Sequence, residues 1–153
     1  MKTKPIIYLS HSIRGDGSVS IQENCHRAKR LGKKLRKVFP EIEWYLPGET
    51  DMVLQILWKN GVISSDEILE ADCEFLRTCH GWAWWHTGPS RGCVIEEHEA
   101  IECGLIDYAL ETQGRITVNL LKSNFAQLRR IFMPIVEKAK RRALQENQTK
   151  KPY

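Results

Sequence analysis

The chain has 153 residues, 42% hydrophobic and 27% charged, the balance expected of one globular domain with a core of its own. No apolar run approaches the roughly 18 residues of a membrane span, so no membrane-spanning segment is expected. The net charge of +4 rests largely on Lys138, Lys140, Arg141, Arg142, Lys150 and Lys151. It lacks the aromatic interleaving or the known module of a nucleic-acid face, and reads as a solvated helix end with a basic tail.

Met1-Lys2-Thr3-Lys4-Pro5 runs directly into a strand-like segment, so no signal peptide is expected and the expected location is the cytoplasm. Cys25, Cys73, Cys79, Cys93 and Cys103 make an odd count and are expected as reduced, mostly buried thiols. His80, His86 and His98 fall between Cys79 and Cys103 or flank them, but no CxxC or HxxxH pair is present. Neither a metal nor a cofactor is assigned.

Pro5 to Leu9 is an apolar run that predicts a first buried strand. It ends in a loop, Ser10 to Gly17, with hydroxyls, glycines and Arg14. Ser20-Ile21-Gln22-Glu23 is a capping-box pattern, and Ile21, Cys25, Ala28, Leu31, Leu35 and Val38 follow at helical spacing. This helix should stop near Phe39, before Pro40.

Glu41 to Leu46 alternates as a second strand, closed by Pro47-Gly48. A short helix through Met52, Val53, Ile56 and Leu57 ends near Gly61. Ser65 or Asp66 is expected to cap one or two turns, to Glu70. Cys73 to Cys79 is the third strand candidate, followed by a loop from His80 to Arg91 and a helix bearing Glu96. Arg115 to Leu121 is a fourth strand. Ser123 or Asn124 caps a last helix whose inward face is Phe125, Leu128, Ile131, Phe132, Ile135, Val136 and Ala139. From Gln145 the chain is polar and expected to fray.

Strands alternating with helices predict an α/β fold: a single-domain open parallel sheet, Rossmann- or flavodoxin-like, with helices on both faces. The domain spans residues 1–146, with a polar basic tail at 147–153. Ligands of such sheets sit at the carboxyl ends of the strands, which brings together the loop after the first strand, the turn before Asp66 and the loop into the Glu96 helix.

Ser10, Ser12, Arg14 and Gly15 offer hydroxyls, a guanidinium fork and a closely approachable backbone, a set suited to a phosphate oxyanion. The loop is neither a Walker loop nor a dinucleotide fingerprint. Ser90-Arg91-Gly92 opens the Glu96 helix, whose first turn is a natural anion site. Glu96, Ala100 and Gly104 share one helical stripe. Glu96 and Asp66 form a carboxylate pair of the kind used in retaining glycosyl transfer. On residue type alone, Asp66 is equally a helix cap and Glu96 a partner of the helix dipole.

Tyr8-Leu9-Ser10-His11-Ser12-Ile13-Arg14-Gly15 resembles the Tyr-Phe-x-x-Ser-Ile-Arg-Gly opening of the Rcl-type nucleotide N-glycosidases, members of the nucleoside 2-deoxyribosyltransferase superfamily. Ser90-x-Gly92-x-x-x-Glu96-x-x-x-Ala100 resembles the catalytic helix of that superfamily. Asp66, followed by Cys73-Glu74 and Gly81-Trp82, resembles a spacing of its small phage and bacterial relatives. The resemblance covers residues 5 to 121 and implies Glu96 as nucleophile on C1′ of the sugar. It implies Asp66 as proton donor to the departing base or orienter of Glu96, and Tyr8 near the sugar or Glu96. Ser12, Arg14, Gly15, Ser90 and Gly92 would hold a 5′-phosphate, with Ser10 and Ile13 in the same binding loop.

The free-nucleoside transferases carry an aspartate where Ser90 stands, and a serine makes room for phosphate. The loop from Trp82 to Pro89 is longer than in the small relatives. Its indoles, Trp82 first, would stack on a nucleobase or pack a dimer interface. Glu74 replaces an aspartate, and His98 reads as a helix-surface residue. The activity implied is cleavage or exchange of the N-glycosidic bond of a (deoxy)nucleoside 5′-monophosphate by a homo-oligomer. The alternatives are a free-nucleoside deoxyribosyltransferase and a non-catalytic nucleotide-binding module on the same fold.

Overall fold

Ile6–His11 forms the central strand β1 because it is apolar on both sides, as a strand covered on two faces must be. A computed structural model describes residues 4–107 and 114–149 of the chain. After β1 the order is α1 (Ile21–Val38), β2 (Glu43–Tyr45), α2 (Pro47–Thr50), α3 (Met52–Lys59), α4 (Ser65–Leu76) and β3 (Gly81–Trp85). Then come α5 (Arg91–Glu102), β4 (Arg115–Ile116), a 3-10 turn (Leu120–Lys122) and α6 (Phe125–Thr149). The four strands are all parallel in the order β2-β1-β3-β4. This is the expected Rossmann- or flavodoxin-like α/β architecture.

The pleat of β1 divides the core in two. Ile7 and Leu9, with Ala83, Trp85 and Trp44, pack under α1 and α6. Tyr8, with Trp82 and Trp84, faces α4 and α5. Register is set by Ile7 opposite Gly81 through His11 opposite Trp85. Gly81 has to be small, since a Cβ there would meet Ala139 and Ile7 at 3.2 Å. Among the described residues no helix is long and apolar enough to cross a membrane.

Three helix starts follow their sequence signals. Ser20 caps α1 by accepting from the Glu23 N–H at 3.1 Å. Asn124 caps α6 reciprocally with Gln127, each side-chain oxygen accepting the other's backbone N–H at 2.9 Å. Ser64, one residue before the expected cap, forms a complete capping box with Glu67. That box starts a helix of 12 residues, not one or two turns.

The third strand is the principal correction. Cys73 to Cys79 is not a strand, because Ile68, Asp72, Cys73 and Leu76 lie on one buried stripe of α4 while Glu74 and Arg77 point outward. The strand is Gly81–Trp85, buried at every residue. Its three indoles, buried on both faces and followed by Gly88 and Pro89, carry no strand alternation in the sequence. β4 is also shorter than expected: the chain leaves the sheet after Ile116, and Leu120 returns to the core from the 3-10 turn. On α6, Leu128, Phe132, Val136 and Ala139 face inward as expected, whereas Phe125 is exposed. The helix continues through Gln145 to Thr149, and residues 150–153 of the tail lie outside the described residues.

Phe132 is fully buried and meets Trp44 edge-on at 5.4 Å between ring centroids. Phe132→Ala removes that pair and leaves a cavity between α6 and the sheet. The expected loss is about 3–5 kcal/mol of unfolding free energy, read by urea denaturation. A loss below about 1 kcal/mol would show that α6 does not close this half of the core.

Candidate functional site

The connections from β1 and β3 leave in opposite directions, so a crevice opens between the carboxyl ends of these two strands. The cleft there has a volume of about 200 Å³ and is lined by the β1 loop, α2 to α4 and the start of α5. Its floor is acidic and its rim is basic.

The floor is built around Glu96. Cys93, Glu96, Glu97, Ala100 and Ile101 form the buried stripe of α5, which brings Glu96 against the sheet in the second turn of the helix. There the Tyr8 hydroxyl donates to Glu96 Oε2. Burial raises the Glu96 carboxyl to about 7, even though hydrogen bonds from Tyr8 and Ser10 favour its charged form. Tyr8 itself is pushed well above the ordinary phenol value, first by burial and then by the Glu96 charge, so it remains a donor. Ser10 is held in turn by the Trp82 indole N–H at 2.8 Å. Glu97 turns the other way and pairs with Arg115, tying α5 to β4.

Two further carboxyls share the floor, Asp51 and Asp72. Both are buried, and the Asp51 charge lifts the affinity of Asp72 for a proton. Asp72 is raised by burial, then by Asp51 and Glu96; Asp51 is raised by burial. The Tyr45 hydroxyl lies 3.4 Å from Asp72 Oδ1, and Thr50 Oγ1 lies 3.2 Å from Asp51 Oδ1. Asp51 Oδ2 and the buried Gln55 Oε1 have no hydrogen-bond partner among the described residues. Like charges this close cannot all ionise near neutrality, so the floor keeps at least one carboxyl protonated. Among the described residues no group of three or more His, Cys, Asp or Glu is placed to hold a metal ion.

The rim carries Arg14 and Arg91. The Arg14 guanidinium lies 4.4 Å over the Trp58 ring, and burial and the charge of Arg91 both weaken its hold on its proton. Gly15 turns the β1 loop at φ +54°, and a Cβ there would meet Ser12 Oγ at 2.8 Å. Asn24 pins the same loop by donating to the Ile13 carbonyl at 2.8 Å. Ser90 caps α5, its hydroxyl accepting the Cys93 N–H at 3.2 Å. Gly92 admits Leu69, which a Cβ would meet at 3.3 Å. His11 closes the base of the rim, accepting the Gly48 N–H at Nε2 (2.9 Å) while Nδ1 lies 3.1 Å from the Ser12 carbonyl. Burial lowers His11 to about 4, so it is neutral.

Of the residues singled out in the sequence, Ile13, Arg14, Gly15, Ser90, Gly92 and Glu96 line this cleft. Tyr8 and Ser10 support Glu96 from β1, and Ser12 lies beside Gly15. Two are elsewhere. Asp66 is in the exposed first turn of α4, its side chain 79% accessible and 3.5 Å from Arg91. Trp82 is buried within the sheet, where it presents its N–H to Ser10 and no face to the cleft. Trp84 and Trp85 are buried too, so the three indoles pack within the sheet and expose little of their surface.

Asp51, Asp72, Gln55, Trp58 and His11 were not singled out. Asp72 had a signal: continuing the helical stripe from Ile68 by four residues reaches it, and by eight reaches Leu76. No family model, curated protein or solved structure matches the chain. The chemistry of the cleft therefore rests on its own residues.

Raising the Glu96 carboxyl has a consequence for folding. Its affinity for protons is higher folded than unfolded, so the folded state is favoured below the ordinary carboxyl range, about pH 4, and that stability is lost as pH rises through about 7. Glu96→Gln keeps the acceptor for Tyr8 and removes the buried charge. The variant is expected to gain stability over the wild type between pH 5 and pH 8, on the order of 2–3 kcal/mol. Denaturant unfolding at both pH values measures it, and a pH-independent difference would show that Glu96 is not desolvated.

Proposed function

We propose that the protein cleaves or exchanges the N-glycosidic bond of a (deoxy)nucleoside 5′-monophosphate, through a covalent glycosyl ester on Glu96. The observation that carries this reading is the buried Glu96–Tyr8 pair at the floor of a cleft whose rim bears Arg14, Arg91 and the start of α5. An acidic floor suits an electron-poor sugar carbon, and a basic rim suits the phosphate attached to that sugar.

In the first step an oxygen of ionised Glu96 attacks C1′ and the bond from C1′ to the base nitrogen breaks. The electron pair goes to the base, which takes a proton from the neutral carboxyl of Asp72. In the second step Asp72, now ionised, removes a proton from water or from a second base. The resulting nucleophile attacks C1′ and releases Glu96. Tyr8 and Ser10 hold the Glu96 oxygens in line, and Asp51 keeps Asp72 protonated at rest. The acid is thus assigned to Asp72 in place of Asp66, which is held at the surface beside Arg91.

Ser12, Arg14, Arg91 and the Ser90-to-Gly92 turn form the phosphate end, a guanidinium fork beside hydroxyls and a helix start. No cofactor enters the chemistry. Five free cysteines suit a reducing cytoplasm. Assembly as a homodimer goes with this reading, although the buried tryptophans no longer support it. The exposed Val53, Ile56 and Val62 on and after α3 support it instead, and light scattering at micromolar concentration tests it.

Three measurements test the activity. Glu96→Gln is expected to abolish release of free base from nucleoside monophosphates, followed by chromatography. Asp72→Asn should slow it by about 10²-fold or more, most for poor leaving groups, while Asp66→Asn stays within about twofold. The opposite order would return the acid role to Asp66. The kcat/KM profile should rise as Glu96 ionises near pH 7 and fall once the Asp51–Asp72 pair loses its last proton.

Phosphate recognition is tested against the free nucleoside. Two or three charge-assisted contacts imply a preference of roughly a hundredfold or more for the monophosphate. Arg14→Ala should erase most of it, and Ser90→Asp should turn preference towards the nucleoside. Equal kcat/KM for both substrates in the wild type would favour a free-nucleoside transferase, and no base release from either would favour a binding module.

A further inference from the structure

Three depressions join along the carboxyl edge of the sheet. The candidate cleft shares Arg14 and Gly15 with a narrow groove of about 50 Å³ between the β1 loop and residues 87–89. The groove shares Arg27, Thr87 and Gly88 with an open cavity of about 770 Å³, walled by α1, His86 and residues 117–122. A ligand of ordinary size fits a cavity of the latter volume.

The path is basic along its length. After Arg14 it meets Arg27, then Arg30 and Lys122. Two carboxylates, Asp16 and Glu23, stand against these four cations and leave the groove and open cavity net positive. Asp16 accepts from the Ser18 N–H at 2.9 Å and the Ser18 hydroxyl at 2.6 Å. Glu23 lies 3.5 Å from Arg27 Nε and 3.3 Å from Arg30 Nη2, so it holds the two guanidiniums side by side. Glycine keeps the passage open: Gly15 and Gly88 bring backbone to its two walls without side chains. A monophosphate at Arg14 uses none of the cations beyond it.

We propose that the nucleotide recognised here carries a second phosphoryl group beyond its 5′-phosphate. The preferred ligands are then nucleoside 5′-diphosphates or dinucleoside pyrophosphates. The first phosphate sits at Arg14 and the second passes through the groove to Arg27. In a dinucleotide the far nucleoside occupies the open cavity beside His86, where Arg30 and Lys122 neutralise the linking charge. The assignment rests on the nucleotide reading of the cleft and narrows its substrate class.

The test separates binding from chemistry. Glu96→Gln protein is titrated calorimetrically with the common nucleoside 5′-monophosphates, the matching 5′-diphosphates and the matching P1,P2-dinucleoside diphosphates. For the base that binds, the diphosphate is expected to bind about tenfold tighter than the monophosphate. Adding Arg27→Gln, Arg30→Gln and Lys122→Gln, all on accessible side chains, should erase that gain and leave the monophosphate within about twofold. A further gain with the dinucleotide places the second nucleoside in the open cavity; equal affinity ends the site at the second phosphate, and both support the proposal. A diphosphate bound no tighter than the monophosphate overturns it, as does a gain that survives the triple substitution. Base release by the wild type is scored separately. A pyrophosphate preference without base release sinks the glycosidase reading alone, base release without the preference sinks this inference alone, and no nucleotide binding overturns both.

Discussion

The contact on which the site depends is the one between the Tyr8 hydroxyl and the Glu96 carboxyl across the interface of β1 and α5. A carboxyl buried this deeply without a donor would be protonated at every physiological pH, because desolvation costs the ion several kcal/mol. Donors from Tyr8 and Ser10 bring its ionisation back to about 7, where charged and neutral forms are both populated. Tyr8 can do this only because β1 is central and parallel, so that its even residues face α5 while Ile7 and Leu9 seal the opposite side. The tyrosine is thus a core residue and a site residue at once.

The same contact explains the acidic company Glu96 keeps. Asp51 and Asp72 reach the floor from the turn between α2 and α3 and from α4, and neither forms an ion pair with a cation among the described residues. Such a cluster costs folding free energy unless protons are retained. A fold that keeps one neutral and one ionisable carboxyl against the same cavity holds the two states that acid-assisted nucleophilic displacement requires. The guanidiniums are at the rim, and burial rather than their charge sets the proton affinity of the floor carboxyls, which is raised. Separation of acid inside and base outside is the electrostatic design of the cleft.

Much of this was legible in the chain. Strand–helix alternation and the run from Pro5 to Leu9 were enough for the α/β class, and the capping pattern at Ser20 placed α1. The motif around Arg14 and the stripe through Glu96 and Ala100 marked two walls of the cleft. What was hidden has physical reasons. Residues 73–79 suggest a strand despite Glu74 and Arg77, and those two charges are accounted for only on a helix, where they lie on its outer face. With the helix expected to end at Glu70 and the strand to begin at Cys73, Asp72 falls in the gap between them, and Asp66 is the visible carboxylate. The indoles of β3 read as a loop in the sequence, because a strand buried on both faces shows no alternation. Asp51 and Gln55 could not be found from local pattern, since α3 buries its polar residue and exposes Val53 and Ile56.

The central claim is that Glu96 becomes covalently attached to the sugar, and rapid acid quenching followed by mass spectrometry tests it most directly. The protein is mixed with the nucleoside 5′-monophosphate that yields free base and stopped on the time scale of a single turnover. The account expects a mass increase equal to one phosphorylated sugar, confined to the peptide containing Glu96 and missing from Glu96→Gln. Base release with the adduct on another residue, or with inversion at C1′ and no adduct at any time, would contradict it.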